Sequence, residues 1–271
     1  MADATVISKQ LPRAPLVFAL AHIRFTPVLK MEDFLPDVQE YLRLNGFPEY
    51  EQREARVFTL GIDTKEQSSK WWEFSDTAKR RQIVLTTESV SAQTTEYSTF
   101  DDFLEMVSQA IKPLAEHVKV AMAKQIGLRF VDLLADIDHL RTPDLLAPGL
   151  RGISAREVVE GADQSAMSFV LQIKTPHGVL SIRSVQMLGL PPYPLPPDLS
   201  QVSLSLPEWV DSARSPRVLD FDHVMHGDFE FLPDELRGKL RLLHDFTGKA
   251  FRAVVAKEAL DAWGRSSRGV Q

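Results

Sequence analysis

The chain has 271 residues, 44% hydrophobic and 25% charged, an ordinary globular composition long enough for one large or two medium domains. Its formal net charge of −6 argues against a globally basic nucleic-acid binder, though not against a local basic groove. The absence of cysteine excludes disulfides, thiolate nucleophiles, thiolate zinc sites and cysteine-ligated clusters, and makes the cytosol the expected compartment. The opening "MADATVISKQLPRAP" has no apolar signal core, and no apolar run approaches the ~20 residues that cross a bilayer, so no membrane association is expected.

In chain order, "APLVFALAHIRFTPV" (14–28) reads as a strand closed by Thr26-Pro27. A helix over 30–48 follows, ended at Asn45-Gly46, with Pro36 expected in its first turn. Strands are predicted at 53–62 and 70–76, and two more within 80–97, turning near Thr87-Glu88-Ser89. Turns recur too often there for helical crossovers, so an antiparallel meander is expected. Residues 98–123 read as a helix capped by Ser98 or Thr99, with Asp101 and Asp102 at the positive end of its dipole. Pro113 should kink or split it. "QIGLRFVDLL" (125–134) reads as a strand, and 135–165 as loop and short helix. A hairpin over 165–188 turns at Thr175-Pro176-His177-Gly178, and the proline-rich stretch 189–209 reads as an irregular surface crossing. A strand at 217–225 and one long helix or two over 232–264 complete the chain.

Both halves run from hairpin-type strands to a strand with an aromatic and acidic cluster, then to a long amphipathic helix. The expectation is an α+β protein of two related lobes, each an antiparallel sheet with long helices on one face. The lobes would span 12–136 and 165–264, with 137–164 as linker.

The motifs "APLVFALAHIRF", "WWEFSD", "YSTFDDF", "GLRFVD", "VLDFDHV" and "LLHDFTGKAF", in this order, resemble an uncharacterised, sporadically distributed prokaryotic family of roughly this length. The resemblance spans most of 12–263 and brings no established activity. The patchy distribution implies a mobile-element, defence or toxin-neutralising setting. Asp132 stands where that family more often has Asn.

Several clusters are candidates for chemistry. Strand alternation puts Gly127, Arg129, Val131 and Leu133 on one face, and Ile126, Leu128, Phe130 and Asp132 on the other, better core face. Arg129 would then lie on the more open face and Asp132 at the core's rim. A guanidinium there could clamp an anion, but an ion pair with a neighbouring strand is the more frequent use. Arg24 shares a face with His22, and the same two readings apply. Trp71 and Trp72 are adjacent, so one must leave the core; with Lys79, Arg80 and Arg81 they could form a protein interface or a stacking surface for single-stranded nucleic acid. Asp220, Asp222, His226 and Asp228 are weak metal-ligand candidates, because no recognised ligand spacing accompanies them. His244 and Asp245 sit between apolar helix positions, where a histidine is usually a packing residue. Thr247-Gly248-Lys249 lacks the glycine-rich lead-in of a phosphate loop, and no serine-hydrolase or dinucleotide fingerprint occurs.

The sequence therefore points to a non-catalytic cytosolic binding or interaction protein, with no catalytic residue and no cofactor. A protein partner or a second copy is the expected partner. The alternative is a nucleic-acid-binding or RNA-processing protein using a basic sheet face.

Overall fold

The computed structural model describes residues 11–59, 65–153, 158–161, 166–187, 195–200, 202–213 and 216–264, with side chains described outside 55–59, 65–69 and 187. The expected strand at 53–62 lies partly outside these residues, as does much of the proline-rich stretch.

The chain is α+β, built on one nine-stranded antiparallel sheet in the order β2-β3-β4-β5-β1-β6-β9-β8-β7. The strands are β1 (Leu16–Phe25), β2 (Glu49–Thr59), β3 (Lys65–Ser75), β4 (Arg81–Leu85), β5 (Ser89–Thr94), β6 (Met122–Leu134), β7 (Ala166–Thr175), β8 (Gly178–Met187) and β9 (Arg217–Glu230). The helices are α1 (Met31–Leu44), α2 (Phe100–Pro113), α3 (Pro233–Val254) and α4 (Lys257–Trp263).

The two sheets expected from the sequence, in 12–136 and 165–264, are joined into one through the antiparallel β6–β9 pair, which runs from Met122 opposite Glu230 to Leu134 opposite Arg217. Outward from that pair the order is β1, β5, β4, β3, β2 on one side and β8, β7 on the other. Both β5 and β9 lead into a long helix.

Local chemistry sets the element ends. Thr99 caps α2 by accepting from the Asp102 amide at 3.1 Å, and Asp101 and Asp102 sit in the first turn. Pro113 ends α2; a π-helical turn over Leu114–Val118 follows and stops at Lys119, in the left-handed region with φ 57°. Pro36 lies inside α1 rather than in its first turn, since the helix begins at Met31. Pro233 occupies the first position of α3, where its missing N–H is no loss. Gly178 closes the β7–β8 turn with φ 142°, and a Cβ there would lie 2.0 Å from the Val224 carbonyl oxygen, so only glycine fits.

One sheet face packs on the helices. Ala19, Ala21, Ile23 and Phe25 of β1, with Ile126 and Leu128 of β6, meet Val38 and Leu42 of α1, Leu104, Val107 and Ile111 of α2, and Leu236, Leu240 and Leu243 of α3. Each Val, Leu, Ile or Phe side chain among them contributes about 1.5–3 kcal/mol when fully buried. Among the described residues no helix is long and apolar enough to cross a membrane.

The opposite face is not open. Residues 195–200 and 202–213 run across it as a strap, and Leu195, Leu199, Leu204 and Val210 bury against Val17, Phe18, Val131 and Leu133. The predicted surface crossing is thus a second covering layer. Its far end is tied to the first half of the sheet: Ser205 N donates to the Lys79 carbonyl at 2.8 Å, and Ser203 Oγ accepts from Gln82 Nε2 at 3.0 Å.

Candidate functional site

Arg129 and Asp132 diverge to opposite faces of β6, as alternation requires. Arg129 does not lie on an open face; beneath the strap it is only 6% exposed. Its guanidinium makes two bidentate pairs. Nε and Nη2 reach Asp220 at 2.8 and 2.9 Å, and Nη1 and Nη2 reach Asp198 of the strap at 2.5 and 3.1 Å. Arg183 adds a contact to Asp220 at 3.0 Å and approaches Asp222 at 3.7 Å. Burial disfavours the Arg129 charge, but the bonds to Asp198 and Asp220 more than offset it and raise its pKa. The Arg129 bond holds the Asp198 carboxyl below its ordinary range. The network ties strap to sheet and takes four of the five N–H donors of Arg129, both bidentate edges included, so no fork is left for a further anion.

The other sequence candidates are scattered. Arg24 is exposed and pairs with Glu88 at 3.1 Å. Trp72 is fully buried in the helix-side core, while Trp71 lies on the strap side and donates from Nε1 to Glu73 at 2.8 Å. Arg80 donates to the Ser205 carbonyl at 3.4 Å. Arg81 lies over the Phe47 ring at 5.6 Å and is 3.5 Å from Asp76. The fold therefore does not gather Arg24, Arg80, Arg81 and Arg129 into one groove. Asp220 and Asp222 face the arginines, Asp228 meets Lys124 at 2.5 Å, and His226 is exposed; among the described residues no group of three or more acidic, His or Cys side chains is placed to hold a metal.

Asp132 occupies a different environment. It is 4% exposed, hence not at a rim, and among the described residues it has no hydrogen-bond partner. It forms part of a cavity of about 660 Å³ between the sheet and α3. The β6 and β9 side chains Phe130, Asp132 and Phe221 form the sheet wall. His244, Thr247, Gly248 and Phe251 come from α3, Tyr97 to Asp101 from the start of α2, and Leu11 and Ala14 to Leu16 from the segment entering β1. Arg241, Asp245 and Arg252 are its exposed charged lining on α3.

Burial, with a smaller contribution from the negative charge of Asp220 across the sheet, pushes the Asp132 carboxyl up to about 8. It is therefore mostly protonated at neutral pH. His244 stacks on Phe100 with centroids 3.8 Å apart and planes 8° apart, and meets Phe130 edge-on. Burial lowers its pKa to about 4, so it is a neutral ring at physiological pH. Burial, with the nearby Asp101 and Asp102 charges, raises the Tyr97 phenol, which stays neutral as well. Thr247 Oγ1 is occupied by the Leu243 carbonyl at 2.9 Å. The arrangement is a ring-walled chamber with one unpartnered acid in its wall.

The sequence signal for this chamber was available in part. Arg241, His244, Gly248 and Phe251 recur at three- and four-residue spacing on α3, and Phe130 and Asp132 are two apart on a strand. Nothing local placed Tyr97, Phe100 or Phe221 against them. No protein-family model matches the chain, and no curated protein matches it.

Proposed function

We propose that the chain is a non-catalytic binding protein whose ligand, a small organic molecule or a protruding group of a larger partner, occupies the cavity between α3 and the sheet. The observation that carries the reading is Asp132: a carboxyl buried in an apolar chamber without a partner costs stability and is kept where a ligand uses it. The cavity volume falls within the range of small-molecule sites, and its lining sets the rings of Tyr97, Phe100, Phe130, Phe221 and Phe251 beside polar and charged groups. A fragment screen by thermal shift tests it. Fragments should stabilise the wild type and lose that effect in Gly248→Leu, whose side chain would fill the chamber. Equal stabilisation of both proteins would place the binding elsewhere and refute the reading.

A second reading, association through a second copy of the chain, is favoured by β7. This edge strand exposes Val170, Leu171 and Ile173 and carries one charge, Lys174, whereas the other edge, β2, has Glu49, Glu51, Arg53 and Glu54. Antiparallel pairing of β7 with itself centred at Val170–Leu171 sets Lys174 opposite Met167, so no like charges meet. Light scattering should give a dimer mass that Val170→Lys reduces to a monomer. A wild-type monomer at high concentration would remove this reading. The nucleic-acid alternative has less support, because the arginines that suggested it are paired or separated.

A further inference from the structure

We infer that the cavity holds its ligand by a cationic nitrogen, an alkylammonium or amidinium docked on Asp132, with an apolar or aromatic body among the surrounding rings. The inference rests on the cavity being a ligand site and adds the ligand's charge.

Three observations carry it. The first is the missing counter-charge. Asp132 is 4% exposed, faces the chamber and has no hydrogen-bond partner among the described residues. Nearby cations are engaged or outside: Arg129 and Arg183 serve Asp220 on the opposite sheet face, Arg241 donates to Asp101 at 2.7 Å, and Arg252 is exposed. A cationic ligand group would supply what the fold withholds.

The second is the wall. Tyr97, Phe100, Phe130, Phe221 and Phe251 line the chamber. Ring faces attract ammonium groups and offer nothing to a carboxylate. The third is the remaining charge. The groups facing Asp132 from the packed elements are Asp220 across β9, Tyr97 and Asp101 at the start of α2, and Arg241, His244, Asp245 and Arg252 on α3. With Tyr97 and His244 neutral, Arg241 paired with Asp101 and Arg252 exposed, the charge felt at Asp132 is the negative one of Asp220, so the protein supplies the carboxyl no counter-charge.

The proton balance gives the pH dependence its sign. In the empty chamber Asp132 holds its proton below about pH 8. Docking an ammonium ionises it, so one proton leaves the carboxyl for solvent and the product is the carboxylate–ammonium pair. Affinity must then rise with pH up to that value. A ligand that accepted a hydrogen bond from the protonated acid would bind more weakly as pH rose through the same range.

Calorimetric titration of the full chain with benzylamine, benzyl alcohol and benzoate, at about pH 6 and about pH 7.5, tests this. Benzylamine should bind at least roughly tenfold tighter than the other two and tighten at the higher pH. Asp132→Asn should erase its advantage while benzyl alcohol still binds. Phe100→Leu should weaken benzylamine more than benzyl alcohol. If benzyl alcohol or benzoate equals benzylamine, if benzylamine weakens with rising pH, or if Asp132→Asn leaves it unchanged, the cation inference fails and the cavity reading stands. If none of the three binds, both fail.

Discussion

Replacing Asp132 with Asn should stabilise the empty protein, and the gain should grow with pH. The Asp132 carboxyl has an ordinary value of 3.8 and is raised to about 8 in the folded chain. Because the folded value is the higher one, the stability linked to Asp132 is fully present below about pH 4 and is lost as pH rises toward 8. Roughly four pH units at about 1.4 kcal/mol each set a ceiling of about 6 kcal/mol. Relaxation and water entry will reduce it, so a gain of about 2–5 kcal/mol at pH 8 is expected for the near-isosteric amide, falling toward zero at about pH 4. Urea midpoints of both proteins across that range measure the difference directly, and taking the difference cancels every other titrating group. Parallel pH profiles, or an Asn variant less stable than wild type at pH 8, would show that Asp132 has a partner in the folded state and remove the basis of the site.

Three further outcomes are expected. Arg129→Ala should lower stability by roughly 3–5 kcal/mol, because Asp220, 1% exposed at its side chain, keeps only Arg183; Arg129→Lys should recover part, and cavity ligands should bind as before because Arg129 lies on the other sheet face. A lost ligand with an unchanged urea midpoint would reverse that assignment. His244, lowered from 6.5 to about 4, contributes stability that is fully present above about pH 6.5 and lost as pH falls toward 4; His244→Phe should melt with less acid sensitivity, read from thermal midpoints over that range. Gly248→Ala should raise stability by about 0.5–1 kcal/mol, since its Cβ would meet only the end of the Arg252 side chain at 3.6 Å; a loss in chemical denaturation would show that the glycine is needed for packing.

The α+β class, the strand alternation in β6 and the division of Trp71 from Trp72 were legible because each depends on a local period. The β7–β8 turn was legible from Pro176 and Gly178. The union of two expected sheets was not, since it depends on pairing between β6 and β9, which the whole stretch 135–216 separates in chain order. The strap was misread because its prolines suggest surface, while its buried Leu195, Leu199 and Leu204 follow no regular period. That one error moved Arg129 from an open face into an ion-pair network. Asp132 was misplaced in the opposite direction, because rim and chamber look alike until α3 and the 97–101 segment close over the strand.

The central claim is that the chamber beneath α3 receives a ligand at Asp132. Crystals of the full chain soaked with a chemically diverse fragment set test it most directly. The account predicts that bound fragments gather between Phe100, His244 and Asp132, with nitrogen cations within hydrogen-bond reach of the carboxyl. A chamber that stays empty or holds only water, while fragments collect at the β7 edge or elsewhere on the surface, would contradict it.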